Sequence, residues 1–213
     1  MDLSLPPLFT GQPVPNGTDP FEQACSEAAD PGSLYWSGDA ATARAAVVLE
    51  PEAAMPEAMC GVIAAELGLA EALGALGPPE LAVQFRWPDG LVVNGARCGA
   101  IRAAQRGDLL ITGIRVALLP VSDAAPGTTP DATVLSEEGA PDIDALPLIE
   151  AWARHMLTWI NRYVGDGPGP LVTAWAGLCV ADQMMGLDPL GGLIVQTKTG
   201  QRTLPLTDIL ERP

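Results

Sequence analysis

The dipeptide Asn94-Gly95 restricts what this chain can fold into more than any other feature. It sits between two apolar runs, and both of its residues tolerate the positive φ of a type I′ turn. Upstream, Val83, Phe85 and Trp87 alternate with Gln84 and Arg86, Pro88-Asp89-Gly90 interrupts that strand, and Leu91 to Val93 runs into the turn. The returning strand carries Arg97 and Arg102. The stretch from Gln84 to Ile101 therefore reads as hairpin with a charged rim, around which the rest of the chain is organised.

That rim stands out against the composition. Lys and Arg number 11 against 26 Asp and Glu, a formal charge of −15. Yet Arg86, Arg97, Arg102, Arg106 and Arg115 fall between positions 86 and 115, opposed there only by Asp89 and Asp108. Guanidinium forks suit carboxylate and phosphate, so the cluster predicts one anion-binding site. Charge placed on edge strands to resist aggregation would leave the same trace. The overall negative charge argues against nucleic acid as a partner, because neutralising phosphates takes Lys and Arg.

A chain of 213 residues predicts one or two domains with a core large enough to fold unaided. The 48% apolar and 17% charged composition describes a globular protein. No apolar run of about 18 to 20 residues is apparent, so no membrane span is expected. Met1-Asp2-Leu3-Ser4 lacks the basic start and apolar core of a secretory signal, which places the protein in the cytoplasm. Cys25, Cys60, Cys98 and Cys179 are scattered and read as reduced thiols. His155 is the only histidine, which argues against a multi-histidine metal site and against a nucleophile and base built on it.

In chain order, residues 1 to 18 form a proline-punctuated arm anchored by Leu3, Leu5, Leu8 and Phe9. A helix near 19 to 29 follows, with Asp19 as its cap, Pro20 in its first position and Glu22 completing a capping box. Phe21, Ala24, Cys25 and Ala28 would face the core. Strands are expected at Leu34 to Trp36 and Arg44 to Leu49, then a long helix from Pro56 to Leu76 with Met59, Ile63, Leu67, Ala70 and Leu73 on its apolar face. Gly61, Gly68 and Gly74 each cost that helix about 1 kcal/mol of propensity, which points to close packing on a sheet. Leu109 to Val116 is a further strand, and the acidic stretch 120 to 142 reads as a loop around one helical turn near Leu135.

Ile149, Trp152, Met156, Trp159, Ile160 and Tyr163 recur at helical spacing, predicting a helix from Asp144 to Tyr163 with His155 beside the stripe. Gly165-Asp166-Gly167-Pro168-Gly169-Pro170 marks a boundary between a domain over 1–168 and a small β domain over 169–213. The latter holds a helical turn at Leu171 to Trp175 and strands near Cys179 to Met184, Leu193 to Thr197 and Arg202 to Leu206. About forty residues are marginal alone, so this unit is expected to pack on the larger one.

The central stretch resembles the biotin and lipoate ligases. Biotin protein ligases carry a Lys-Trp-Pro-Asn-Asp strand, an apolar run, often Asn-Gly, a lysine, and Ala-Gly-Ile. This chain has Arg86-Trp87-Pro88-Asp89-Gly90, Leu91-Val92-Val93, Asn94-Gly95, Arg97 and Gly99-Ala100-Ile101. A looser match in the order of elements covers most of the chain. The resemblance implies an α+β fold of the class II aminoacyl-tRNA synthetase-like kind, a mainly antiparallel sheet with helices, plus a small C-terminal Src-homology-3-like β-barrel. Two departures stand beside it. The family's Gly-Arg-Gly-Arg-x-Gly-Arg loop, which folds over the acyl-adenylate phosphate, is replaced by Ala29-Asp30-Pro31-Gly32-Ser33-Leu34-Tyr35-Trp36-Ser37. One glycine and no arginine cannot cradle a phosphate. The strand that usually ends Gly-Ile-Asn-x-Asn carries Arg115 and Ala117 instead.

For function, the resemblance implies ATP and biotin or lipoate as substrates. The acid is adenylated and then transferred to a lysine of a biotin or lipoyl carrier protein. Arg97 occupies the place of the lysine that contacts carboxylate and phosphate, and so takes the catalytic role. Arg86 matches the other motif lysine. Trp87, Asp89, Asn94, Gly99, Ala100 and Arg115 complete the substrate- and phosphate-binding positions. Arginine keeps the charge of lysine but changes its reach. Asp89 replaces asparagine and Gly90 replaces aspartate, which argues against magnesium coordination here. Losing one preorganised donor costs about 100- to 1000-fold in rate, and losing a loop costs more. Three readings stay open. The first is a ligase whose arginine cluster or N-terminal arm substitutes for the loop. The second is a non-catalytic relative that binds a small carboxylate, an acyl-nucleotide or a protein partner. The third is acyl transfer through Cys98, whose thiol would be acidified by neighbouring Arg97.

Overall fold

The computed structural model describes residues 3–15, 17–26, 29–120 and 131–211. Its first half holds β1 (Thr10–Pro13), α1 (Pro20–Ser26), β2 (Ser33–Ser37), β3 (Thr42–Leu49), α2 (Met55–Ala58) and α3 (Cys60–Leu76). The hairpin region gives β4 (Val83–Arg86), β5 (Gly90–Val93), β6 (Ala96–Arg106) and β7 (Leu109–Ala117). Then come α4 (Ala145–Asp166), α5 (Gly169–Ala176), β8 (Cys179–Val180), β9 (Met184–Leu187), β10 (Leu193–Thr197), β11 (Gly200–Leu204) and β12 (Leu210–Glu211).

The turn at Asn94-Gly95 takes the expected form, with φ of 49° and 92°, and joins β5 to β6. β4 and β5 form a second hairpin before it, so three antiparallel strands come from this one stretch. The large sheet runs β1-β2-β3-β7-β6-β5-β4-β8, and β12 pairs with β6 beyond the end of β5. Most pairs are antiparallel. The exceptions are β1 on β2, β8 on β4 and β12 on β6. Within the proline-rich arm, residues 10–13 form a strand that pairs parallel with β2.

Period-two alternation sends Ala43, Ala45 and Val47 of β3, with Leu110, Ile114 and Val116 of β7, into a core shared with α3, α4 and α5. Ala46, Val48 and Ile111 point the other way and are covered by Phe21 and Ala24 of α1. The Asp19 cap holds, its Oδ1 accepting the Phe21 amide at 2.9 Å. Cys25 is half-buried rather than buried, and Ala28 lies outside the described residues.

Several expectations need correction. The 56–76 helix is two helices that meet at Met59. Together they make a stretch, Met55–Leu76, that holds an 18-residue window of mean hydropathy 1.6 and is long and apolar enough to cross a membrane, where no such run was expected. Here it is packed inside the fold, with Ile63, Leu67, Leu69 and even Glu66 buried. Only Gly61 meets the sheet, where a Cβ would lie 2.9 Å from Leu110 and 3.0 Å from Leu49. Gly68 faces α4, 2.6 Å from the Met156 amide, and Gly74 meets nothing within 4 Å. Leu135 is buried in hydrogen-bonded turns, not a helical turn. α5 is longer than one turn and places Leu171 and Trp175 in the main core. The strand expected over 179–184 divides into β8, which joins the large sheet, and β9. β9, β10 and β11 form a three-stranded antiparallel sheet where a barrel is expected.

Candidate functional site

Directly paired residues of neighbouring strands point to the same face of a sheet. Following the pairings across the large sheet gives one continuous row: Ser37, Arg44, Arg115, Ala100, Gly90, Arg86. The adjacent row, Tyr35, Ala46, Gly113 and Arg102, lies under α1, where a Cβ on Gly113 would sit 2.9 Å from the Phe21 ring. The arginine row is the next one out. At its centre Ala100 and Gly90 offer almost no side chain, so arginines flank a shallow floor on both sides.

The electrostatics of the five clustered arginines divide them. Arg102 is neutralised within the fold, its Nη2 lying 2.5 Å from both Glu22 and Glu211 and its Nη1 3.7 Å from Asp19. It also stacks over Phe21, 4.1 Å from the ring centre, so it serves to lock α1 and β12 to the sheet. Among the described residues, no carboxylate lies within ion-pair distance of Arg86, Arg97 or Arg115. Arg97 projects from the edge of β6 next to the row, its Nε donating to the Gly99 carbonyl at 3.4 Å. Asp89 is half-buried beside it. Burial pushes its carboxyl up, and the Arg97 charge pulls it partly back.

Arg44 is the residue that sequence reasoning missed. Its Nη2 donates to Ser37 Oγ at 3.3 Å and to Asp39 Oδ2 at 3.4 Å, while its Nε is buried without a partner. It stands directly across from Arg115, a like-charge juxtaposition that the ion pair of Arg44 with Asp39 partly offsets. The available signal was a lone cation inside Thr42-Ala43-Arg44-Ala45-Ala46-Val47-Val48-Leu49.

The structure brings Arg86, Ala100 and Arg115 together, with Arg97 and Asp89 alongside, and sets three other expected positions apart. Trp87 donates its indole N–H to the Gly191 carbonyl at 3.1 Å and so ties the hairpin to the C-terminal residues. Asn94 fixes the turn, accepting the Ala82 amide at 3.0 Å and donating to Glu138 at 2.8 Å. Gly99 faces away from the row, and a Cβ there would overlap the Arg115 carbonyl, so close strand packing accounts for it. Cys98 also faces away. It is buried, donates to the Ala117 carbonyl at 3.4 Å, and its thiol is pushed up to about 12 by desolvation, which removes the physical basis for acyl transfer through it.

His155 pairs with Glu71 at 2.9 Å on the flank of α4. Among the described residues no three His, Cys, Asp or Glu side chains gather where they could hold a metal ion. A cavity of about 680 Å³ lies by Leu49 and Leu110, at the far ends of the strands that carry Arg44 and Arg115. Arg86, Arg97 and Arg115 are exposed, so the row forms a shelf on the sheet.

The model of the biotin/lipoate A/B protein ligase family matches residues 5–177. A curated relative, the biotin–[acetyl-CoA-carboxylase] ligase of Paracoccus denitrificans, is 25% identical over 198 residues, covering 82% of each chain. A biotin protein ligase-like protein of unknown function from Silicibacter sp. TM1040 is 35% identical, with a TM-score of 0.89 over 99% of this chain and 100% of that one. The biotin protein ligase of Aquifex aeolicus is 14% identical, with a TM-score of 0.75 over 90% and 92% of the two chains, a likeness of fold.

Proposed function

The chain belongs to the biotin/lipoate A/B protein ligase family, and from that premise we propose that its arginine row binds a biotin- or lipoate-type carboxylic acid together with the phosphate of its adenylate. One observation carries this. Among the described residues no carboxylate lies within ion-pair distance of Arg86, Arg97 or Arg115, and they surround two residues too small to fill the floor between them. In the reaction, a carboxylate oxygen attacks the α-phosphorus of ATP and pyrophosphate leaves. A carrier lysine amine then attacks the acyl carbon, and AMP leaves with the bonding pair. Arg97 would hold the carboxylate against the phosphate. Arg115 and Arg44 would neutralise phosphate oxygens in place of the glycine- and arginine-rich loop. The Paracoccus relative is named for acetyl-CoA carboxylase, which supports a biotin carrier protein as the partner class.

A second reading, binding without catalysis, is favoured by the sequence ahead of and through β2, Ala29 to Ser37, which carries one glycine and no arginine where the family has its glycine- and arginine-rich loop. Calorimetric titration with a non-hydrolysable biotinyl-adenylate analogue and its lipoyl counterpart, followed by a carrier-modification assay, separates the two. Micromolar binding is expected, weakened about ten- to a hundredfold in Arg97→Ala or Arg115→Ala, since a charge-assisted hydrogen bond contributes roughly 1.5–3 kcal/mol. Binding without carrier modification selects the second reading. Folded protein that gives no heat with either ligand overturns both.

A further inference from the structure

At the end of the sheet away from the arginine row, two cavities share one wall, Glu50-Pro51-Glu52-Ala53. The first, about 680 Å³, opens between α2, α3 and α4 over Leu49, Ala64, Leu110, Ile160 and Tyr163. Gly61, Ala58 and Ala64 border it with side chains too short to fill it. The second, about 610 Å³, is bordered by the same two glutamates with Gln105 and Asp108. The first chamber is apolar and its neighbour is acidic. Among the described residues no Lys, Arg or His lines either one. Among the described residues Glu50, Glu52 and Asp108 have no cationic partner. Glu57, on the apolar chamber, accepts the Tyr163 hydroxyl at 3.2 Å. Burial, and then the charge of Glu57, push both Cys60 and Tyr163 up to about 12, so a negative field reaches the chamber floor.

We propose that this paired cavity binds an amphipathic organic cation, with the apolar body in the chamber over Leu110 and Ile160 and the ammonium head among Glu50, Glu52 and Asp108. Each part alone, about 680 and 610 Å³, falls within the roughly 300–1,000 Å³ of small-ligand sites. Apolar burial supplies affinity, and the carboxylates choose the sign of the head group. An anionic amphiphile meets the same carboxylates and is rejected. The site lies roughly 16 Å along β3 and β7 from Arg44 and Arg115, at about 3.3 Å per residue, and stands independently of the ligase reading.

The test is calorimetric titration of the full chain with decyltrimethylammonium, below its micelle concentration and at levels that do not lower the thermal unfolding midpoint. Decyl sulfate and tetramethylammonium serve as comparators. One saturable site is expected for the first and none for the others. The triple variant Glu50→Gln, Glu52→Gln, Asp108→Asn should weaken binding about tenfold, as expected for a few partly screened charges. A control triple of equal charge change at exposed sites elsewhere, Glu80→Gln, Asp142→Asn, Asp182→Asn, should leave it unchanged. Absence of a saturable site overturns the proposal, as do equal binding of decyl sulfate and equal weakening by the two triples.

Discussion

Glu66 is fully buried on α3, with Trp175 donating its indole N–H to Oε2 and no partner for Oε1 among the described residues. Desolvation raises its carboxyl well above the ordinary 4.5, against the lowering effect of that hydrogen bond. In the unfolded chain the group ionises near 4.5, whereas the folded chain holds the proton to higher pH. Its contribution is therefore complete below that value and is lost as pH rises toward the folded pKa, at up to about 1.4 kcal/mol per pH unit. Glu66→Gln removes the titration while keeping an acceptor for Trp175. Thermal unfolding across about pH 4 to 8 should show the variant gaining on the natural chain as pH rises, and a flat difference would mean that Glu66 is already ionised in the fold. Such residues were hard to read in advance, because an acid at helical spacing resembles a solvated face. Arg86, Arg97 and Arg115 were legible as charge out of place, whereas Arg44 needed the cross-strand register that sets it opposite Arg115.

Among the elements, α3 illustrates how far periodicity reaches. The helix and its apolar stripe were legible, but α3 is buried almost all round between the sheet, α4 and α5, so a stripe understates it. Nor could the pattern say what each glycine faces, since that depends on partners distant in sequence. Gly68 lets α4 approach so closely that a Cβ would lie 2.6 Å from the Met156 amide and 2.8 Å from its Cα. Gly68→Ala must push backbone aside and should destabilise by roughly 1–3 kcal/mol, an overpacking cost that outweighs its gain in helix propensity. Gly74, with nothing within 4 Å, has no such neighbour. Gly74→Ala should stabilise by about 0.5–1 kcal/mol. Urea unfolding of the two variants side by side checks the contrast, and shifts of the same sign would refute the packing assignment.

At the scale of the whole molecule, the C-terminal residues are built into the large sheet as well as forming their own. β8 pairs with β4 at Phe85 and Arg86, and β12 pairs with β6 at Ala103 and Ala104. Trp87 reaches Gly191 by its indole N–H, Leu206 is buried in the main core, and Glu211 closes on Arg102 beside α1. The sequence disclosed strands in this region but not these attachments, because two-residue strands carry no alternation to detect. Truncation after Gly177, the limit of the family match, would expose the β4 edge, strip the contacts of Leu206 and Cys179 and leave Arg102 short of one carboxylate. Losing one large buried apolar side chain typically costs about 2–5 kcal/mol, so the shortened chain should unfold well below the full one and bind a hydrophobic dye at room temperature. Thermal unfolding of the two chains under one set of conditions decides the matter. An unchanged midpoint would make residues 178–213 an independent lobe, and the arginine shelf would then be held by the first 177 residues alone.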